Sequence, residues 1–99
     1  MNFSEKVLAL TKKIPKGKVT TYSEIAKALN TKAYRAVGSA LRNNKTPILI
    51  PCHRVINSDG NIGSYKGIKD SNEKVRLLKG EGVEVRDNRL DLKKYLFRF

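Results

Sequence analysis

The sequence has no tryptophan and only one cysteine, one histidine and one methionine among its 99 residues. A lone cysteine excludes an internal disulfide. With a single histidine as its only other good ligand it cannot complete a structural zinc site, so no metal and no cofactor are expected. Long apolar runs are missing too, and Met1-Asn2-Phe3-Ser4-Glu5 lacks the basic start and apolar stretch of a secretory signal. These absences predict a protein that does not enter a membrane and works inside the cell, in the cytoplasm or, in a eukaryote, the nucleus. Repeats, low-complexity tracts and linkers are also absent. The length suits one compact domain over residues 1–99 with a modest core.

Acid is the other scarcity. Nine Asp and Glu stand against 21 Lys and Arg, a net charge of +12. The excess is uneven: the first fifty residues hold ten basic and two acidic side chains, the remainder eleven and seven. A basic half on a small chain points to a polyanion, with nucleic acid ahead of acidic lipid. Charge alone does not separate that reading from a lysine-rich solvated surface.

Phe3, Val7, Leu10 and Ile14 recur at helical spacing and predict an amphipathic helix over 2–13, ended by Pro15-Lys16-Gly17. Lys18-Val19-Thr20 is a short extended piece. Thr21-Tyr22-Ser23-Glu24 matches a capping box, so a helix of about eight residues follows with Ile25, Ala26 and Leu29 inward. After the turn at Asn30-Thr31-Lys32, a second helix carries Ala33, Ala36, Val37, Ala40 and Leu41 as its core stripe. Arg35, Ser39 and Arg42 then face outward, with Gly38 keeping that face flat. Two short helices joined this way look like a helix-turn-helix. The expected fold is mainly α with small β hairpins, a winged-helix-like helix-turn-helix domain.

Downstream, Asn43 to Pro47 reads as a turn, and the apolar Ile48-Leu49-Ile50 is expected to be buried. Val55-Ile56 and Ile62 flank a hairpin turn at Asn57 to Asn61, and Gly63 to Gly67 is expected to be a loop. A helix is predicted over 70–79, ended by Gly80 or Gly82. Val83-Glu84-Val85 can pair with the stretch at Arg89-Leu90 across Asp87-Asn88, and 92–99 is apolar enough to pack down.

The chemistry-bearing run is Pro51-Cys52-His53-Arg54-Val55. An unperturbed thiol, with pKa about 8.5, is only slightly ionised at neutral pH, so a nucleophilic cysteine needs a base or a positive charge nearby. His53 is adjacent in sequence, but neighbours on a strand point to opposite faces. Contact with Cys52 therefore requires a bend, which Pro51 can supply. Glu81 is a candidate third member that orients the imidazole. Taken singly, a cysteine after an apolar strand, a lone histidine and an acid before a glycine are more often structural.

Together these residues resemble the O6-alkylguanine-DNA alkyltransferases. Ile48-Leu49-Ile50-Pro51-Cys52-His53-Arg54-Val55 matches that family's active-site signature. Further ordered matches fall at Ile14 to Tyr22, Arg35-Ala36-Val37-Gly38, Asn44, Ser58-Asp59-Gly60, Gly63-Ser64-Tyr65, and Leu77-Leu78 with Glu81-Gly82. The resemblance implies a domain that meets the minor groove of double-stranded DNA and flips out an O6-alkylguanine. It implies DNA contacts from Arg35, Tyr22, Thr21, Ala36, Gly38, Ser39 and Arg42, with Arg35 as the finger replacing the extruded nucleotide. Tyr22 would crowd the adjacent phosphate and donate to the leaving guanine.

The backbone carbonyls of Cys52 and Val55 would read the guanine amino group, and the loop at Tyr65-Lys66 would close over the base. Asn44 would pin the turn before the active-site strand. His53, backed by Glu81, would take the Cys52 proton through a water. The alkyl group would then pass irreversibly to Cys52, once per molecule, by a protein acting as a monomer.

The additional N-terminal domain that most family members carry is expected to be absent. Ile68 stands where the family usually has a second glycine after the tyrosine loop, and Lys66 takes a lid position. Single-domain length also resembles the alkyltransferase-like proteins, which bind the lesion without repairing it and lack the acceptor cysteine; this chain has Cys52. A sequence-reading regulator, with Arg35, Ser39 and Arg42 in the major groove, is the third reading.

Overall fold

The computed structural model describes residues 1–46, 49–69 and 71–99. The first helix, α1 (Phe3–Thr11), starts at a complete capping box: Asn2 accepts from the Glu5 amide at 2.8 Å, and Glu5 accepts from the Asn2 amide at 3.1 Å. The strand β1 (Thr20–Thr21) leads directly into α2 (Tyr22–Ala28), whose first turn is capped by the Thr21 hydroxyl on the Glu24 amide. Only half of that expected box forms, because the Glu24 carboxylate pairs with Arg98 at 3.2 Å instead.

A turn through Asn30, which takes a left-handed conformation, joins α2 to α3 (Tyr34–Arg42) and completes the helix-turn-helix. Val37, Ala40 and Leu41 are the buried side of α3. Ala33 and Ala36, expected in that stripe, are exposed: the α1–α2 surface covers only about one side of this short helix.

Cys52–Arg54 form a single 3-10 turn, followed by β2 (Val55–Ile56). The strand β2 pairs with β1 in parallel, Thr20 opposite Val55 and Thr21 opposite Ile56. This differs from the expected hairpin. The turn at 57–61 does close, with the Asn57 amide on the Asn61 carbonyl at 2.9 Å, but the Ile62 amide bonds Asn88 rather than returning to Ile56.

The expected loop at 63–67 is itself a hairpin, β3 (Ser64–Tyr65) with β4 (Ile68–Lys69). Lys66 and Gly67 both take positive φ at its tip, the geometry that matches strand twist in a two-residue turn. The last helices are α4 (Asn72–Gly80), capped by Ser71 on the Lys74 amide, and α5 (Leu92–Tyr95), capped by Asp91. Gly82, at φ +89°, terminates α4, and Asp87-Asn88 turns the chain so that Arg86 and Arg89 pair.

Alternation along β2 divides the interior. Val55 points into a core with Val7, Ile14, Ile25, Val37, Leu41 and Tyr65, and Ile56 points into a second core with Val19, Ile62, Leu78, Val83 and Tyr95. The second core is closed by the chain end, where Val19 bonds Tyr95 O and Phe97 in the manner of a parallel bridge. The result is mainly helical with small strand pairs. Within Ile48-Leu49-Ile50, Leu49 is 76% exposed, contrary to expectation, and Ile50 is half-buried. Ile48, Pro47 and the start of the predicted fourth helix at Asp70 lie outside the described residues.

Candidate active site and nucleic-acid interface

Asn44 sets where the Cys52 turn begins. Its Nδ2 donates to the Ile50 carbonyl at 2.8 Å, while its Oδ1 accepts from the Thr46 amide and hydroxyl. The Cys52 amide then bonds Ile50 O, and the Arg54 amide bonds Pro51 O. The segment is a 3-10 turn rather than an extended strand, yet it makes no direct hydrogen bond between Cys52 and His53 among the described residues. It leaves Cys52 on the wall of a pocket of about 690 Å³ and sends His53 and Arg54 to the opposite side, against Glu81.

That side is densely bonded. Arg54 holds Glu81 through two parallel bonds, Nε to Oε1 at 2.9 Å and the guanidinium to Oε2 at 2.6 Å, and gives a third to the Ile14 carbonyl at 2.8 Å. His53 Nε2 lies 3.0 Å from Glu81 Oε2. The loop before β1 also meets this residue: Gly17 takes φ +87°, and a Cβ there would lie 3.3 Å from the Glu81 carbonyl. Burial works against a charged Glu81, but the hydrogen bonds from Arg54 and His53 outweigh it and hold the carboxyl below its usual range.

His53 is fully buried, and burial pushes its pKa below the ordinary value despite the bond to Glu81. A neutral ring facing a carboxylate keeps its proton on Nε2, which leaves Nδ1 as an acceptor. Nδ1 has no hydrogen-bond partner among the described residues.

Three further groups lie within electrostatic reach of Cys52. Burial first, then Cys52, raise the Tyr22 hydroxyl above its ordinary value, with Arg42 opposing. Burial, then Cys52 and Glu73, push Tyr65 up to about 12. Lys74 is completely buried, its Nζ donating to Val55 O at 2.8 Å and Ser64 O at 3.0 Å; burial drives it down to about 7 against the pull of Cys52. The Val55 carbonyl, expected to face a base, therefore already carries one bond and keeps one lone pair.

The pocket is lined by Tyr22, Arg35, Gly38, Arg42, Cys52, Tyr65 and Lys66 of the expected site. Asn44, Val55, His53 and Glu81 stand behind the wall. Thr21 is the cap of α2, and Ala36 and Ser39 are exposed on α3 outside the pocket lining. Lys66 sits over the Tyr65 ring at 5.3 Å and 3.5 Å from Glu73, which anchors the hairpin tip at the pocket mouth.

Sequence reasoning missed Arg54, Lys74 and Tyr34. Arg54 stood in the quoted run without a role. Lys74 offered a signal, a lysine four residues before Leu78 on the core stripe of α4, where an unpaired lysine is seldom tolerated. Tyr34 lies beside Arg35, half-exposed on the pocket rim.

The chain is similar to known proteins. Residues 2–83 match the model of the 6-O-methylguanine DNA methyltransferase DNA-binding domain. The chain is 51% identical over 84 residues to the methylated-DNA–protein-cysteine methyltransferase of Thermococcus kodakarensis, covering 83% of this chain and 45% of that protein. It is 46% identical over 91 residues to a bifunctional methyltransferase/endonuclease of Picrophilus torridus, covering 90% and 30%. It thus spans less than half the length of these curated relatives.

The crystal structure of S. pombe Atl1 with damaged DNA containing O6-carboxymethylguanine superposes with a TM-score of 0.87 at 33% identity, covering 98% of this chain and 95% of that one. M. tuberculosis OGT in complex with DNA gives 0.73 at 38% identity, covering 82% and 50%. On these matches, spanning most of its length, the chain belongs to the 6-O-methylguanine DNA methyltransferase DNA-binding-domain family.

Proposed function

We propose that the protein repairs DNA by direct reversal, taking the alkyl group of an O6-alkylguanine irreversibly onto Cys52. The observation that carries this reading is a single one. A thiol on the wall of a pocket faces Arg35 and Gly38 of the helix-turn-helix and is backed by the part-buried His53–Glu81–Arg54 network.

A buried thiol reaches a guanine oxygen only if the base leaves the stack. Arg35, at the start of α3, enters the duplex through the minor groove in place of the extruded base. Tyr22 crowds the neighbouring phosphate. Thr21, Ala36, Gly38, Ser39 and Arg42 hold the backbone around it. Tyr65 and Lys66 close over the base, and the carbonyls of Cys52 and Val55 accept from its amino group.

His53 Nδ1 takes the Cys52 proton through a water, Glu81 stabilises the imidazolium, and the thiolate attacks the alkyl carbon. A carbon–sulfur bond forms as the carbon–oxygen bond breaks, the electron pair stays on guanine, and Tyr22 supplies the proton that lets guanine leave neutral. The thioether has no ready reverse step, so each monomer acts once.

The full-length likeness to Atl1 favours a second reading, a sensor that binds the lesion without repairing it. Incubation with a duplex bearing methyl-labelled O6-methylguanine separates the two. Repair moves one label per protein onto Cys52, and a label that stays on the DNA at excess protein sinks the repair reading. Mass spectrometry after mixing with O6-benzylguanine gives the same answer: a benzyl-sized gain on the Cys52 peptide supports transfer.

A further inference from the structure

The 2–83 match to the family model stops before the chain end, yet the end is built into the structure beside the pocket. Leu96 pairs with Val19, one residue before β1, and the Phe97 amide bonds Val19 O at 2.7 Å. This places Leu92, Lys93, Leu96 and Arg98 next to Thr21 and α2, where they form a second groove with Ser23, Glu24, Lys27 and Ser58. Ser23 and Ser58 line both this groove and the Cys52 pocket, so the two are continuous. The groove holds three cations and one acid, and Glu24 is already neutralised by Arg98 at 3.2 Å. What remains is a pair of exposed lysines, Lys27 and Lys93, above hydroxyls from Thr21, Ser23 and Ser58.

We propose that this groove carries the phosphate backbone of the DNA strand as it leaves the flipped nucleotide, with Lys27 and Lys93 each meeting one flanking phosphate. The inference rests on the DNA reading of the Cys52 pocket and extends its footprint to one side. Lysines on flexible stems suit a backbone that must be followed without being read, and serine and threonine hydroxyls are ordinary donors to phosphate oxygens. An acidic protein segment could also meet two lysines, but the continuity of the groove with the Cys52 pocket through Ser23 and Ser58 favours the DNA backbone.

Each lysine–phosphate contact contributes about 0.9 to the slope of log affinity against log salt. The test measures binding to a duplex carrying one O6-methylguanine with long flanks, between 50 and 200 mM salt. The variant K27Q/K93Q is compared with K12Q/K13Q, which removes the same charge from the end of α1. The slope of the first falls by about 2, so its deficit against the parent shrinks roughly tenfold across that range. The deficit vanishes when the duplex is trimmed to two base pairs on one side of the lesion, and survives trimming on the other.

An unchanged slope, an equal loss in K12Q/K13Q, or a deficit indifferent to which side is trimmed overturns the groove. In those cases the parent still binds DNA and the pocket reading stands. A parent that shows no salt-sensitive binding overturns the pocket reading as well. Thermal melts of both variants check the fold, since all four positions are exposed.

Discussion

Behind Cys52, every polar side-chain atom of His53, Arg54 and Glu81 except His53 Nδ1 has a protein partner. In front of it, Arg35, Ser39 and Arg42 on α3 make no side-chain hydrogen bond among the described residues. The rear network is fixed when the chain folds. The front face is completed only by what it binds, and its side chains keep their rotamer freedom until then. On the proposed repair reading, chemistry is preorganised on one side of the pocket and recognition deferred on the other, so substitutions on the two sides should separate into different measurements.

The largest expected effect is at the junction. Cys52→Ala removes alkyl transfer altogether while lesion affinity stays within a few-fold of the parent, measured by labelled-methyl transfer beside fluorescence anisotropy. Binding lost in parallel with transfer would mean that the two sides are not separable. Next, Arg54→Ala leaves Glu81 partly buried without its main counter-charge. It should cost about 3 kcal/mol in urea denaturation and slow transfer by about a hundredfold or more, as the Glu81 carboxylate is no longer held in place against His53. Arg54→Ala at parental stability would show that the network is ornamental.

Smaller and opposite in character is Arg35→Ala. It should slow transfer from duplex DNA at least tenfold, because a few kcal/mol of unstacking loses its replacement. Transfer from free O6-benzylguanine, which needs no flipping, should change far less.

Acid and alkali sharpen the rear side further. The folded pKa of Glu81 lies below its unfolded value, so its contribution is present above about 4.5 and is lost as pH falls through the folded value. His53 is also depressed, so below about 6.5 the unfolded chain takes up a proton that the folded one resists, and stability declines there too. Lys74 falls to about 7 from 10.5, and between those values the unfolded chain holds the extra proton, so stability climbs with pH. Lys74→Met should flatten that alkaline climb in urea midpoints taken from pH 7 to 10 and leave the acid limb in place. Smallest of all, Thr21→Ala removes the cap of α2 and should cost about 1 kcal/mol.

The sequence made the front legible more readily than the rear. Helical period located α1 and α3, the capping signal at Thr21 located α2, and period turned Arg35, Ser39 and Arg42 outward, because a helix face is a local property. Ala33 and Ala36 were misread for the same reason: period says which residues share a face, not how far the neighbouring helices cover it. The parallel pairing of Thr20 with Val55 joins residues far apart in the chain and leaves no local trace. Lys66 at the tip of the β3–β4 hairpin hid a turn that glycine or asparagine would have signalled. Leu49 looked buried because it is apolar, yet the Asn44 bond to Ile50 O ends the run before the chain turns inward. Lys74 and Arg54 could be read only once their acceptors, the Val55, Ser64 and Ile14 carbonyls, were known.

The span of the rear network has a consequence for how the protein is made. Ile14, His53, Arg54 and Glu81 converge from three distant stretches of one chain, and the carboxylate arrives last, 28 residues after the imidazole. On a ribosome, Cys52 emerges well before its activating partners are complete, and until then it is an ordinary thiol. On the proposed repair reading, a nucleophile spent in one reaction is thereby protected from stray electrophiles during synthesis, since the event that finishes the fold is also the one that assembles its partners.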